Sequence, residues 1–151
     1  MEHQQSPDKI REVAMDFDNA VKNQNRELIL SSFADDCEIE LLGIKLTGKE
    51  GATRWTNWLY QHLAEVEFLP VTIMVEGNTF FEEFVVKARL HNGTRIHSKQ
   101  AEVLIYDNYK VKSLRLYFDR LDFADSVTKG FISKAIVKQL IKMTLKGLQG
   151  Q

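Results

Sequence analysis

From Val66 to Asp119 the chain carries four strand-like segments separated by short turn signals, and few folds accept that arrangement. The breaks are Gly77-Asn78, Asn92-Gly93 and Asp107-Asn108-Tyr109. They leave strands near 66–76, 79–90, 95–106 and 110–119. Connections this short join antiparallel neighbours only, so the four strands form a meander.

The segments before them read differently. Ser6-Pro7-Asp8 starts a helix, with Ser as N-cap and Pro in the first turn. Ile10, Val13, Ala14, Phe17 and Val21 follow at helical spacing. A short second helix fits 26–33, and 37-CEIELLGI-44 reads as a strand. Thr47 to Glu50 has capping-box spacing and opens a third helix that carries Trp55, Trp58, Leu59, His62 and Leu63. Helices first and sheet afterwards is the α+β pattern.

A chain of 151 residues has the length of one domain with one substantial core. The formal net charge of −1 hides an asymmetry. Residues 126–151 hold five lysines and no acid, which leaves −6 on the remainder. An acidic body is a poor partner for nucleic acid, whose binding is driven by phosphate neutralisation. The single Cys37 permits no internal disulfide and suits a reducing compartment. The polar start MEHQQSPDKI lacks the apolar run of a signal peptide, and no apolar stretch approaches the ~20 residues of a membrane span. A cytoplasmic protein is expected.

The turns set registers. Asn92-Gly93 read as a two-residue type I′ turn pairs His91 with Thr94. Glu83 then lies opposite Glu102, Val85 opposite Gln100, and Lys87 opposite Ser98. Like charges directly opposite are destabilising. The pair therefore points into water, or is neutralised by Lys87 or Arg115, or is a dyad that keeps one proton.

Three stretches, in order, carry a resemblance: 33-FADDCEIE-40, 48-GKEGATRWTNWL-59 and 110-KVKSLRLYFD-119. With the element order, they resemble the nuclear transport factor 2-like superfamily, in its SnoaL-like branch. The resemblance implies a curved antiparallel sheet that forms a cone, closed by three N-terminal helices over an apolar pocket. Relatives include ketosteroid isomerases, limonene-epoxide hydrolases, polyketide cyclases and non-catalytic binding modules, so fold alone does not settle function. The isomerases' tyrosine donor falls on Phe17, their base on Leu41 and their protonated aspartate on Glu102. The hydrolases' tyrosine and asparagine fall on Ile39 and Leu41. Their arginine and aspartates fall near Glu83, Val85 and Leu116. One carboxyl of the three isomerase groups remains and the hydrolase set is absent, so neither mechanism carries over. The pocket is expected to be lined by Phe17, Ile39, Leu41, Trp55, Trp58, Leu59, His62, Val85, Leu104, Leu114, Leu116 and Phe118.

The last hairpin decides where Glu102 points. A three-residue turn at Asp107-Asn108-Tyr109 pairs Tyr106 with Lys110. Glu102 then shares the concave face with Leu114, Leu116 and Phe118. A two-residue turn sets Glu102 opposite Arg115. The segment 131–148 favours the first. Its lysines at 134, 138, 142 and 146 form one row and Ile132, Ile136, Leu140 and Met143 lie opposite, as in an amphipathic helix. Its apolar face needs a surface. In the first register the convex face offers Phe84, Val86, Ala88, Ala101, Val103 and Ile105. A cone domain over 1–127 and a basic helix over 128–151 follow.

Two functional readings result. In one, the cone takes a small, mostly apolar organic molecule, with Glu102 and Glu83 as a carboxyl pair for proton transfer and Gln100 or Lys87 beside them. In the other, the protein is a non-catalytic association module with its pocket filled by its own side chains. A homodimer through the convex face or the C-terminal helix is expected. Residues 129–148 could also meet an anionic membrane surface. No cofactor is implied. His91 and His97 lack ligand spacing, so no metal site is expected.

Overall fold

The computed structural model describes residues 4–124 and 131–146. The proposed boundary at 127/128, Lys129 and residues 147–148 lie outside them. The chain divides into two compact units, Met1–Phe118 and Asp119–Gln151.

In the first unit, α1 (Pro7–Lys22), α2 (Arg26–Ser32) and α3 (Gly48–His62) accompany six strands. These are β1 (Phe33–Leu41), β2 (Ile44–Thr47), β3 (Leu63–Glu76), β4 (Thr79–Leu90), β5 (Arg95–Asp107) and β6 (Lys110–Phe118). Their order in the sheet is β2-β1-β6-β5-β4-β3. The meander is antiparallel, but β1 joins β6 in parallel, so the sheet is mixed and not wholly antiparallel. Register shifts interrupt β3, β1 and β6, and each such bulge bends its strand. The architecture is the expected α+β one, with an open curved sheet and three N-terminal helices.

Local chemistry places α1. Ser6 caps it, accepting a hydrogen bond from the Lys9 N–H at 3.4 Å. Just before it, Gln5 is buried. Its Nε2 donates to the Tyr106 carbonyl at 2.8 Å, and its Oε1 accepts from the Tyr109 N–H at 2.6 Å. At the other end the Tyr60 hydroxyl donates to the Val21 carbonyl at 2.6 Å. The helix is thus tied to β5, to the β5–β6 turn and to α3. Between these ties Phe17 meets Phe33 edge-on at 5.5 Å and stacks on Trp55 at 6.0 Å. Such pairs contribute about 0.5–1.5 kcal/mol beyond burial. Thr47 sits at the N-cap of α3 but its side chain makes no capping bond. Gly48 turns the chain at φ +66°, and Glu50 reaches Arg54 instead of folding back, so the expected capping box does not form.

Both decisive hairpins differ from the sequence reading. At the β4–β5 turn the loop is His91-Asn92-Gly93, three residues, with Arg89 opposite Arg95. The Asn92 side chain accepts from the Thr94 N–H at 2.9 Å, and Gly93 takes the left-handed conformation at φ +88°. That three-residue form is the next commonest hairpin after the two-residue turn. The one extra residue exchanges the faces of β4 relative to β5. Glu82, not Glu83, lies opposite Glu102. Phe84, Val86 and Ala88 therefore join the buried inner face and leave the outer one, where Phe81 and Val85 accompany Ala101, Val103 and Ile105.

At the β5–β6 turn the loop is Asn108-Tyr109, two residues, both with positive φ (48° and 58°). Taken alone, this would set Glu102 opposite Arg115. A bulge at Lys112 adds one residue to β6, and Glu102 comes to lie opposite Leu116. Glu102 thus shares its face with Leu114, Leu116 and Phe118, as the three-residue reading required, though by a different device. Lys112 itself is turned toward Asp36, with which it forms an ion pair.

The second unit starts with a short 3-10 turn, Arg120–Phe123. Asp119 caps it, accepting from the Leu121 N–H at 2.8 Å. The strand-end aspartate is therefore a capping residue. After it comes α4 (Phe131–Leu145). Ile136 and Met143 on this helix are more than 60% exposed. No helix among the described residues is long and apolar enough to cross a membrane.

Candidate functional site: three carboxyls on the inner face

The inner face of the sheet is built by alternation. On β4 the even-numbered residues from Phe80 to Leu90 are buried, and on β5 those from Ile96 to Tyr106. The registers line them into cross-strand rows. One row runs Leu41, Leu116, Glu102, Glu82, Ile73. The next runs Ile39, Leu114, Leu104, Phe80. On the other side lie Phe118, Gln100 and Phe84. Two glutamates thus face each other inside an apolar surface, 1% and 6% exposed.

A third carboxyl completes the group. Asp18 stands on α1 one turn after the buried Ala14, on the stripe that packs inward. The nearest carboxylate oxygens of Asp18, Glu82 and Glu102 all lie within 4.8 Å of one another. None of the three forms an ion pair with a cationic side chain among the described residues. Asp18 Oδ2 and Glu82 Oε1 are buried and find no hydrogen-bond partner among the described residues. Tyr106, four residues along β5 on the same face, leaves its hydroxyl buried and unpartnered as well.

The consequence is retention of protons. Burial pushes the Asp18 carboxyl up to about 10, and the charges of Glu102 and Glu82 add to the effect. Burial, then the Glu82 charge, pushes Glu102 up to about 8. Glu82 is raised by burial, while the proton of Asp18 pulls it the other way. The Tyr106 hydroxyl is raised by burial and then by all three carboxylates. Like charges brought together out of water cannot all ionise. At neutral pH the group therefore contains acids able to donate.

The other expected residues separate clearly. Gln100 is buried on the inner face, its Nε2 donating to Ser98 Oγ at 3.2 Å. Phe17, Ile39, Leu41, Trp55, Leu104 and Leu114 are buried. Leu116 and Phe118 are half-buried beside Glu102 and Gln100. Trp58 and Leu59 are half-buried. His62 is exposed, its ring 5.9 Å from that of Trp58. Glu83, Lys87 and Val85 are on the outer face, away from Glu102. Glu83 accepts a hydrogen bond from Thr72 Oγ1 at 3.2 Å. The pair of Glu83 with Glu102 and the supporting place of Lys87 are thus corrected by the loop register. Burial raises the Cys37 thiol, whose Sγ donates to the Gly48 carbonyl at 3.5 Å.

Asp18 and Glu82 are the members that sequence reasoning missed. Asp18 had a signal: it is the one acid on the apolar stripe of α1. Glu82 had none beyond the doublet 82-EE-83, whose inward member depends on one loop residue. A separate groove of about 860 Å³ lies where Lys22, Glu65, Lys87, Arg89, Arg95 and His97 meet, and the carboxyl group is not part of it.

No protein-family model and no curated protein matches the sequence. Solved structures do match. One is an NTF2-like protein of unknown function from Burkholderia pseudomallei K96243, with TM-score 0.72 at 16% identity over 80% of this chain and 98% of that one. The fold is that of the nuclear transport factor 2-like proteins. A SnoaL-like polyketide cyclase from Jannaschia aligns with TM-score 0.71 at 13% identity, over 84% of this chain and 99% of its own. An LEH-like epoxide hydrolase from M. tuberculosis aligns with TM-score 0.69 at 17% identity, over 86% and 97%. The nuclear transport factor 2-like fold is shared with enzymes and with proteins of unknown function alike, so the reading of this chain depends on its own side chains.

Proposed function

We propose that this protein takes a small, mostly apolar organic molecule against the inner face of its sheet and exchanges a proton with it through the Asp18–Glu82–Glu102 group. One observation carries the reading: two buried glutamates and the half-buried Asp18 converge on an otherwise apolar surface, with no cation paired to them among the described residues. Such a group destabilises the fold unless something uses it. Glu102 serves as general acid, because its pKa of about 8 lies near neutrality. Asp18 and Glu82 hold the proton that replaces the one Glu102 gives. Gln100, beside Glu102 on β5, supplies an amide to a ligand oxygen that gains negative charge. The polyketide cyclase and the epoxide hydrolase of this fold give the reading its chemical neighbourhood, at the level of fold.

Saturation-transfer NMR with a panel of small lipophilic compounds tests it. Binding is expected for the wild type and is weakened or lost in Leu116→Arg, which fills the face beside Glu102. A panel with no binder, or binders indifferent to Leu116→Arg, overturns the reading.

A second reading concerns association. Tyr117 is 56% exposed on the outer face, opposite Ala101 and flanked by Val103 and Arg115. We propose this outer face as the contact of a homodimer. Light scattering coupled to gel filtration should give twice the monomer mass, and Val103→Glu should return it to one. A wild-type monomer at 100 µM rules the dimer out (on the order of the weakest stable contacts).

A further inference from the structure

The proposed function leaves the ligand's charge open, and the inner face restricts it. Its described strand positions include no lysine, arginine or histidine: Phe80, Glu82, Phe84, Val86, Ala88 and Leu90 on β4 face Ile96, Ser98, Gln100, Glu102, Leu104 and Tyr106 on β5. An anionic ligand would bring a further negative charge to a group that already cannot ionise in full. A neutral molecule with a single donor would satisfy one of Asp18 Oδ2, Glu82 Oε1 and the Tyr106 hydroxyl, which are buried and find no partner among the described residues. Each unsatisfied buried group costs roughly 1–3 kcal/mol, so an occupant that satisfies several at once gains the sum of those terms.

A cation does this, and the surroundings select its kind. A divalent metal ion wants six or more oxygen ligands or retained waters. Beyond the three carboxyls, the adjacent rows offer Phe80, Phe84, Leu104, Leu114 and Leu116, with Gln100 as the single nearby amide. A primary ammonium asks for less. It has three N–H donors and no acceptor, it is about the size of a water molecule, and its carbon skeleton prefers an apolar bed. The carboxyl oxygens within 4.8 Å of one another can accept from one such head together, and Tyr106 lies on the same side of β5.

We propose that the ligand of this site is a small hydrophobic primary amine, its ammonium held among Asp18, Glu82 and Glu102 and its apolar body lying on Leu41, Leu116 and Phe118. The inference rests on the proposed function and names its substrate class. The amine enters neutral and takes a proton from a carboxyl: an N–H bond forms as an O–H bond breaks. No net charge is transferred into the interior, and the carboxylate left behind gains a charged hydrogen bond.

The test is a matched set of probes measured by isothermal titration calorimetry on the full chain at pH 7.5: cyclohexylamine, cyclohexanol, cyclohexanecarboxylate and Mn²⁺. Cyclohexylamine is expected to bind at least tenfold more tightly than cyclohexanol, and the carboxylate not at all. Glu82→Gln and Glu102→Gln, isosteric and confirmed folded by circular dichroism, are expected to reduce the amine to the level of the alcohol. Equal binding of amine and alcohol overturns the inference and leaves the proposed function standing. Mn²⁺ binding that cyclohexylamine does not displace overturns it in favour of a metal site. No binding by any of the four, together with an empty lipophilic panel, overturns both.

Discussion

Glu82 and Glu102 stand directly opposite one another in the β4–β5 ladder, both buried, with Asp18 of α1 closing over them. Their arrangement sets how stability depends on pH. All three carboxyls have folded-state pKa values above those of the unfolded chain, so the native state keeps protons that the unfolded state releases. Stability from this source is complete below the unfolded carboxylate range, about 4. It falls as pH rises through about 8 for Glu102 and about 10 for Asp18. Urea midpoints measured from pH 5 to pH 9.5 should decline steadily, on the order of 1–3 kcal/mol in total. A profile flat over that range would contradict the protonated cluster.

Removing one charge should relieve it. Glu102→Gln and Glu82→Gln are each expected to stabilise the ligand-free protein at pH 8.5 by about 1–2 kcal/mol, with a smaller gain at pH 5. The double variant should gain less than the two single gains combined, because the first substitution already removes the repulsion. Denaturation at both pH values gives the comparison. Loss of stability at pH 8.5 in both single variants would show that the carboxyls are satisfied as they stand.

Gly51 supplies a test of α3. A Cβ there would come within 2.9 Å of the Leu46 backbone carbon. Helix propensity alone favours Gly→Ala by about 1 kcal/mol. The clash should reverse the sign, and Gly51→Ala is expected to destabilise by about 1–3 kcal/mol. A raised melting temperature would mean that β2 yields without cost.

The Gln5 clamp should be worth more than its place near the chain start suggests. It satisfies the Tyr106 carbonyl and the Tyr109 N–H at once. Gln5→Ala is expected to cost about 1–3 kcal/mol. Glu at the same position keeps one acceptor and should recover the Tyr109 bond alone. Hydrogen exchange at Tyr109, faster in Gln5→Ala than in Gln5→Glu, separates the two contacts.

Much of this molecule was legible because its strongest signals are local. Ser6-Pro7 marks the start of α1, the turn residues mark the meander, and alternation marks the faces. Parity across a hairpin is not local. Asn92-Gly93 fits a two-residue turn, yet His91 joins the loop, and that single residue moves Glu83 out and Glu82 in. The last hairpin shows the same sensitivity with the opposite outcome, since its turn is shorter than expected and the Lys112 bulge restores the face. Asp18 was hidden for another reason. Its role depends on how α1 is laid across the sheet, which the ties at Gln5 and Tyr60 decide.

The bulge at Lys112 also acts as a reading frame. Were Lys112 paired in the ladder instead of looped out of it, the composition of β6 would be untouched. The rest of the strand would nevertheless slip by one position against β5 and bring Arg115 alongside Glu102. A guanidinium would then stand where a leucine does, and the carboxyls would ionise against an internal counter-ion. One looped-out residue keeps that counter-ion off the inner face.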